Sequence, residues 1–232
     1  MEKENQMKEI SESGFSQSQG HGLYWDSQIR EKAFGLGRCV NDTKKHDIDW
    51  SENKLDGSEN VSLKTSGGDS IGCGDIMRFF DADFSKKYTI ILIRYAQKGA
   101  VKKIHEIVEI RYDEKLRSYL FGSAQMPDIS AYADLVRSIP PGRASAEEKK
   151  AYKDGKKALQ SGFGMKITVN PKVDGKAQRR VQCTISLNKL EKDMPECIIS
   201  RTPMAEVRGV QIDSEIMSPA RKRNNKNKEA VA

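Results

Sequence analysis

A chain of 232 residues, 37% apolar and 31% charged, holds enough material for one globular core with loose ends. No apolar run approaches the roughly 18 residues needed to span a bilayer, which excludes a membrane-embedded class. The formal net charge of +7 favours a polyanionic partner, although five positive side chains fall in one run, Arg221 to Lys228, and the remainder is only mildly basic.

Residues 1–19 read as a disordered leader, acidic and rich in Ser and Gln, with neither the apolar stretch of a secretory signal nor the arginines of a transit peptide. Residues 20–213 read as one domain and 214–232 as a polar basic tail. A helix is predicted from Leu23 to Leu36, closed by Gly37, because Trp25, Ile29, Ala33 and Leu36 recur at helical spacing. Two short strands follow, Asp47–Trp50 and Asn60–Thr65, joined by a polar turn rich in Asn, Asp and Gly. After the Gly67-Gly68 loop and the segment Ile71 to Phe80, Tyr88–Tyr95 is nearly continuous apolar sequence, the mark of a central strand buried on both faces. Lys103–Tyr112 alternates around Ile104, Val108 and Ile110 and predicts another strand. Ile129–Ile139 predicts a helix stopped by Pro140-Pro141-Gly142. Ala144–Leu159 predicts a lysine-rich helix opened by the capping box of Ser145 and Glu148. Lys166–Val173 and Gln178–Leu187 then form a hairpin across Asp174-Gly175. The order predicts an α/β fold, a mixed central sheet flanked by helices with an added β-hairpin.

The four cysteines, Cys39, Cys73, Cys183 and Cys197, are scattered without a CxxC pair, which gives neither a zinc ribbon nor a disulfide framework. They read as buried thiols in a reducing, cytoplasmic setting. A nuclear address is one reading of the basic C-terminal run.

Chemistry concentrates where an acid and a lysine come together on neighbouring strands. With period-two alternation, Asn60, Ser62 and Lys64 share one face, and Asp47 and Asp49 share a face of the preceding strand. If those strands pair as a hairpin, Asp47 meets Lys64 at a sheet edge, and Asp26 joins them from the helix. Carboxylates suit a hard cation such as Mg²⁺ that keeps waters for a phosphate to displace. A lysine beside them can orient an attacking water or offset charge on a pentacoordinate transition state.

This pattern resembles the PD-(D/E)xK nuclease superfamily and, within it, type II restriction endonucleases. Asp47 is followed after fourteen residues by Ser62-Leu63-Lys64, and the flanking segments His21 to Asp26, Phe34-Gly35-Leu36 and Cys73 to Phe80 look like restriction-type nucleases of viral and bacterial origin. The resemblance spans roughly residues 20–190 and implies a restriction-endonuclease-like core. It further implies Mg²⁺, with Mn²⁺ as a substitute, and a site-specific hydrolase of duplex DNA. Asp47, Lys64, Ser62 and Asp26 become the catalytic candidates, and Asp47, Asp26, Glu59 and the Leu63 carbonyl the metal ligands. Ser62 departs from the pattern, standing where the family has its second acid; some restriction enzymes tolerate a neutral polar residue there and others recruit an acid from elsewhere, and Glu59, Asp26 and the Leu63 carbonyl are the candidate replacements.

In the hairpin, Val181, Cys183, Ile185 and Leu187 pack inward along with Arg179, while Gln178, Arg180, Gln182 and Thr184 project outward. Arginine and glutamine read guanine and adenine edges in the major groove, which admits a two-stranded ribbon. Lys172 and Lys176 would meet phosphates, and Arg179 and Arg78 join this set as further DNA contacts. Cutting two strands with one site per chain favours a homodimer.

Plainer readings stand beside these. Asp47 and Asp49 can be turn acids, Lys64 a solvated strand lysine, and Asp26 an i,i+4 partner of Arg30. His21 and His46 read as cap or packing residues, and Asp75 as a helix N-cap more than a metal ligand. The lysines of 147–157 fit a solvated face as well as a DNA backbone. The rival function is a nucleic-acid-binding protein on the same fold without a working site; a third is an α/β protein whose tail touches acidic surfaces.

Overall fold

The computed structural model describes residues 20–37, 46–173 and 178–217. The expected leader, Cys39, the hairpin turn with Lys176 and the basic run 221–228 lie outside them.

The fold is mixed α/β, with a curled mixed sheet between two apolar layers. Helix α1 (Gly20–Gln28) opens it and continues as a π-helical turn, Ile29–Ala33. The main sheet contains β1 (Glu59–Ser66), β3 (Lys87–Lys98) and β4 (Val101–Arg111). β1 runs parallel to β3, with Lys64 opposite Leu92, and β3 runs antiparallel to β4. Two late strands, β7 (Ile198–Thr202) and β10 (Glu215–Met217), pair antiparallel with different parts of β4. Between β1 and β3 the chain makes β2 (Ser70–Asp75) and the short helix α2 (Ile76–Phe80). After β4 come α3 (Glu114–Phe121), α4 (Met126–Arg137) and α5 (Ala146–Gly162). A second sheet has the order β2, β6 (Arg179–Ser186), β5 (Thr168–Val173), all antiparallel, and helix α6 (Leu187–Asp193) follows. A tight hairpin, β8 (Glu206–Val207) and β9 (Val210–Gln211), holds Arg208 at φ 51°.

The core follows from β3. Ile90, Ile91, Leu92 and Ile93 are buried on alternate faces, and each such side chain contributes about 1.5–3 kcal/mol on leaving water. Ile91 and Ile93 pack with Val61, Leu63, Ile48 and the α1 residues Trp25 and Ile29. Ile90 and Leu92 pack with Val108, Ile110 and the apolar faces of α3, α4 and the second sheet. Tyr112 is fully buried there because its hydroxyl donates to the Phe79 carbonyl at 2.8 Å.

The predicted central strand, its antiparallel neighbour, both later helices and the hairpin are present. The Ser145 and Glu148 capping box forms, with Glu148 N–H to Ser145 Oγ at 3.1 Å and Ser145 N–H to Glu148 Oε2 at 2.7 Å. Four expectations are corrected. The first helix leaves α geometry at Ile29 and stops at Gly35 (φ 63°), whose left-handed backbone ends the run before Gly37. Asp47–Trp50 is no strand: only Ile48 pairs, with Val61, and Asp49 folds the chain into a turn by accepting Ser51 N–H at 3.1 Å. The hairpin is no free ribbon, because β2 covers the other side of β6. Residues 215–217 belong to the sheet, so the ordered chain runs past 213. Cys183 and Cys197 are buried thiols, but Cys73 is only half-buried. Among the described residues no helix is long and apolar enough to cross a membrane.

Candidate active site

β1 pairs with β3 along one side only, and its other side meets residues 46–48. Successive residues of a strand point their N–H and C=O groups to alternate sides. Val61 and Leu63 therefore face the free edge, where Val61 N–H donates to the Ile48 carbonyl at 2.8 Å. Leu63 N–H donates to Asp47 Oδ2 at 2.7 Å, and Lys64 Nζ donates to the same oxygen at 3.0 Å. The acid and lysine meet, as the pattern predicted, without the strand pairing that was expected to bring them together.

Two features hold Asp47 in place. Its backbone carbonyl accepts from the Arg30 guanidinium, whose Nε also donates to the Gly37 carbonyl at 3.2 Å. Arg30 sits in the π turn, a local irregularity frequent at functional sites, and is buried. It is therefore engaged with backbone carbonyls in addition to any pairing with Asp26. Next, Asn60 Oδ1 accepts from Trp50 N–H at 2.9 Å and ties the turn to β1.

Asp26 lies one turn before Arg30, and its Oδ1 is buried with no hydrogen-bond partner. Burial, and then the Asp47 charge, push its carboxyl well above the usual range, opposed by Lys64 and Arg30. Burial alone would lower the Lys64 pKa, but Asp47, Tyr88 and Asp26 outweigh it and raise the ammonium. α1 packs on the Val61 and Leu63 face, whereas Ser62 and Lys64 point to the face shared with Ile90 and Leu92. Asp26 and Lys64 thus approach the edge from opposite sides of β1.

On the Lys64 side lies a cleft of about 160 Å³, whose polar lining comprises His46, Asp47, Ser62, Lys64, Asp75 and Arg78. Ser62 Oγ hydrogen-bonds the Tyr88 hydroxyl at 2.9 Å, and burial raises the Tyr88 pKa despite that bond. His46 packs edge-on against Tyr88, with centroids 4.7 Å apart. Asp75 is an N-cap, its Oδ1 accepting Met77 and Arg78 N–H at 3.1 Å each.

Glu59, a predicted metal ligand, is elsewhere. It is buried at the start of β1, where Arg208 donates to both of its oxygens at 2.7 and 2.8 Å and Thr89 Oγ1 adds a third bond at 2.6 Å. Burial would raise its pKa, and Arg208 with Thr89 brings it below the usual range. A larger cavity of about 940 Å³ opens beside Glu59, where Arg208 pairs with Glu59 and Glu109, and Lys87 with Asp56. The smaller cleft is the one that gathers Asp47, Ser62 and Lys64.

Arg179, counted among the DNA contacts, is turned inward. Its guanidinium donates to the Ile139 carbonyl at 2.8 Å, to Pro140 and to Gly142 at 3.0 Å, clamping the turn before α5. Arg180, Lys172 and Gln178 are exposed. Arg180 sits across from Lys172, and Gln182 sits between Asn170 and Asp75. The outward face of the second sheet therefore runs to the rim of the cleft, where Arg78 is exposed.

Sequence reasoning missed Arg30, Tyr88 and the place of Asp75 in the cleft. Arg30 carried one signal, a cation four residues after Asp26 on the same helix. Among the described residues no group of three or more His, Cys, Asp or Glu gathers closely enough to hold a metal ion alone. No family model, curated protein or solved structure matches the chain.

Proposed function

We propose that this chain is a metal-dependent endonuclease of duplex DNA, with a restriction-endonuclease-like core and a site at Asp47, Leu63 and Lys64. The observation that carries the reading is that Asp47 and Lys64 meet on the free edge of β1, in a cleft continuous with a basic polar strand face.

The donor set suits a hard cation. Asp47 uses Oδ2 for Leu63 and Lys64, and among the described residues its Oδ1 accepts no hydrogen bond. The Leu63 carbonyl shares the edge with its N–H, and the buried Oδ1 of Asp26 has no partner. Mg²⁺ is commonly held by one or two carboxylates plus water and substrate phosphate, so a cage of three side chains is not required. Asp47, the Leu63 carbonyl and Asp26 are the ligands. Bound there, the ion supplies Lewis-acid polarisation of the phosphoryl oxygen and acidifies a water.

The chain's own groups do the rest. Lys64, kept protonated by Asp47, orients the attacking water and offsets charge gathering on phosphorus. Ser62 presents a neutral hydroxyl where an acid stands in the family. Arg78 and Lys172 hold phosphates, and Gln178, Arg180 and Gln182 reach base edges. Two strands and one site per chain call for a symmetric homodimer, in a reducing compartment.

Ser62 in the acid's place favours a second reading, a binder on the same fold that does not cut. One experiment separates them: the protein is incubated with long duplex DNA in Mg²⁺, in Mn²⁺ and in EDTA. Discrete metal-dependent fragments support the nuclease. Intact DNA in every lane, with a salt-sensitive mobility shift indifferent to EDTA, supports the binder.

A further inference from the structure

We propose that Asp75 supplies the second acid that Ser62 lacks, serving at once as the cap of α2 and as a ligand of the metal in the cleft. The inference rests on the nuclease reading and assigns a residue to it.

Three observations lead there. Ser62 and Lys64 point to the cleft side of β1, whereas Asp26 approaches from the opposite face, so an acid replacing Ser62 on its own side comes from the cleft wall. Asp75 is on that wall, together with Asp47, Ser62 and Lys64. It also has an oxygen to offer. Oδ1 takes both cap bonds, and among the described residues Oδ2 accepts no hydrogen bond. Asp47 is divided in the same way, with Oδ2 bound to Leu63 and Lys64 and Oδ1 left over. Each acid is fixed by one oxygen and presents the other.

The backbone explains how Asp75 reaches this place. The pairing of β2 with β6 slips between Gly72 and Gly74, and Gly74 adopts φ 79°, a conformation that side chains disfavour. This bulge shifts the register so that Asp75 pairs with Gln182 at the last rung of β2, and α2 begins at once behind it. A free carboxylate oxygen held by a cap is rigid, which is what a metal ligand needs.

The test uses the capping chemistry to protect the fold. Asparagine caps helices about as well as aspartate, so Asp75→Asn keeps both cap bonds and removes the charge; Asp75→Ser, also a good cap, is the second variant. Mn²⁺ binding to the full-length protein is followed by electron paramagnetic resonance of the free ion, with Asp47→Asn alongside and Asp113→Asn, the cap of α3 outside the cleft, as control. Both Asp75 variants should melt within a few degrees of wild type in EDTA and bind Mn²⁺ at least about tenfold more weakly, the scale at which even indirect partners of a ligand act. Asp113→Asn should bind as wild type does. If Asp47→Asn loses Mn²⁺ while both Asp75 variants bind it normally, the assignment of Asp75 is overturned and the nuclease reading stands. If wild type binds no Mn²⁺, the nuclease reading fails and the assignment with it.

Discussion

Lys64 Nζ and the Leu63 N–H converge on a single oxygen of Asp47, at 3.0 and 2.7 Å. One strand edge thereby orients an acid that belongs to a turn rather than to a neighbouring strand. The arrangement depends on the π turn, which delivers Arg30 to the Asp47 carbonyl.

Arg30 should therefore matter to activity without touching DNA. Arg30→Ala removes the donor to the Asp47 and Gly37 carbonyls and should destabilise the protein by about 1–3 kcal/mol. Cleavage should slow further, because Asp47 loses its backbone anchor. Urea denaturation and single-turnover cleavage check the two effects; unchanged values in both would remove Arg30 from the account.

Asp26 predicts a pH dependence of stability in the metal-free protein. Its folded pKa lies above the unfolded one, so the folded state holds the proton more tightly. That stabilising contribution is complete below the ordinary carboxylate range, roughly pH 4, and is lost as pH rises through the higher folded value. Asp26→Asn cannot charge. It should melt above wild type at neutral pH in EDTA and approach it in acid. Melting curves across pH 4–8 would count against this placement if the two proteins stayed parallel.

Glu59 should behave as structure. Glu59→Gln weakens a buried pairing with Arg208, and breaking such a pair costs about 3–5 kcal/mol. Mn²⁺ affinity of the folded protein should stay at the wild-type value. Weaker Mn²⁺ binding with the fold intact would restore Glu59 as a ligand.

The two adjacent arginines of β6 should separate cleanly. Arg179→Ala should lower stability by about 1–3 kcal/mol through the released carbonyls and leave base preference alone. Arg180→Ala and Gln182→Ala should each relax discrimination at one base pair by about 1–3 kcal/mol. Lys172→Ala should weaken all sequences alike and reduce the salt slope by roughly 0.9. Binding to a randomised duplex library at several salt concentrations reads all of these.

What the sequence made legible was local. Tyr88–Tyr95 is too apolar to be anything but interior, Ser145 and Glu148 cap a helix three residues apart, and Val61 to Thr65 alternate with period two. The approach of Asp47 to Lys64 was anticipated, but through a strand pairing that is absent: a turn, not a strand, carries Asp47 to the edge. The rest depended on distant pairing. Ser70–Asp75 carries Ile71 and two glycines, weak strand sequence that becomes β2 only because β6 is there to pair with it. Glu59 looked available as a ligand because Arg208, 149 residues later, is invisible to any local pattern. Arg179 fell on the inward face by alternation, but what it clamps there was hidden for the same reason, its carbonyl partners lying 37 to 40 residues back. The short strands β7 and β10, and helix α3, carry too little periodicity to announce themselves.

The most direct measurement is single-turnover cleavage of duplex DNA in Mg²⁺ by wild type, Asp47→Ala and Lys64→Ala, with DNA binding followed in parallel. The account predicts that wild type cuts, that both variants lose cutting by several orders of magnitude, and that both still bind. Cutting by either variant at the wild-type rate would contradict it and move the chemistry away from the edge of β1.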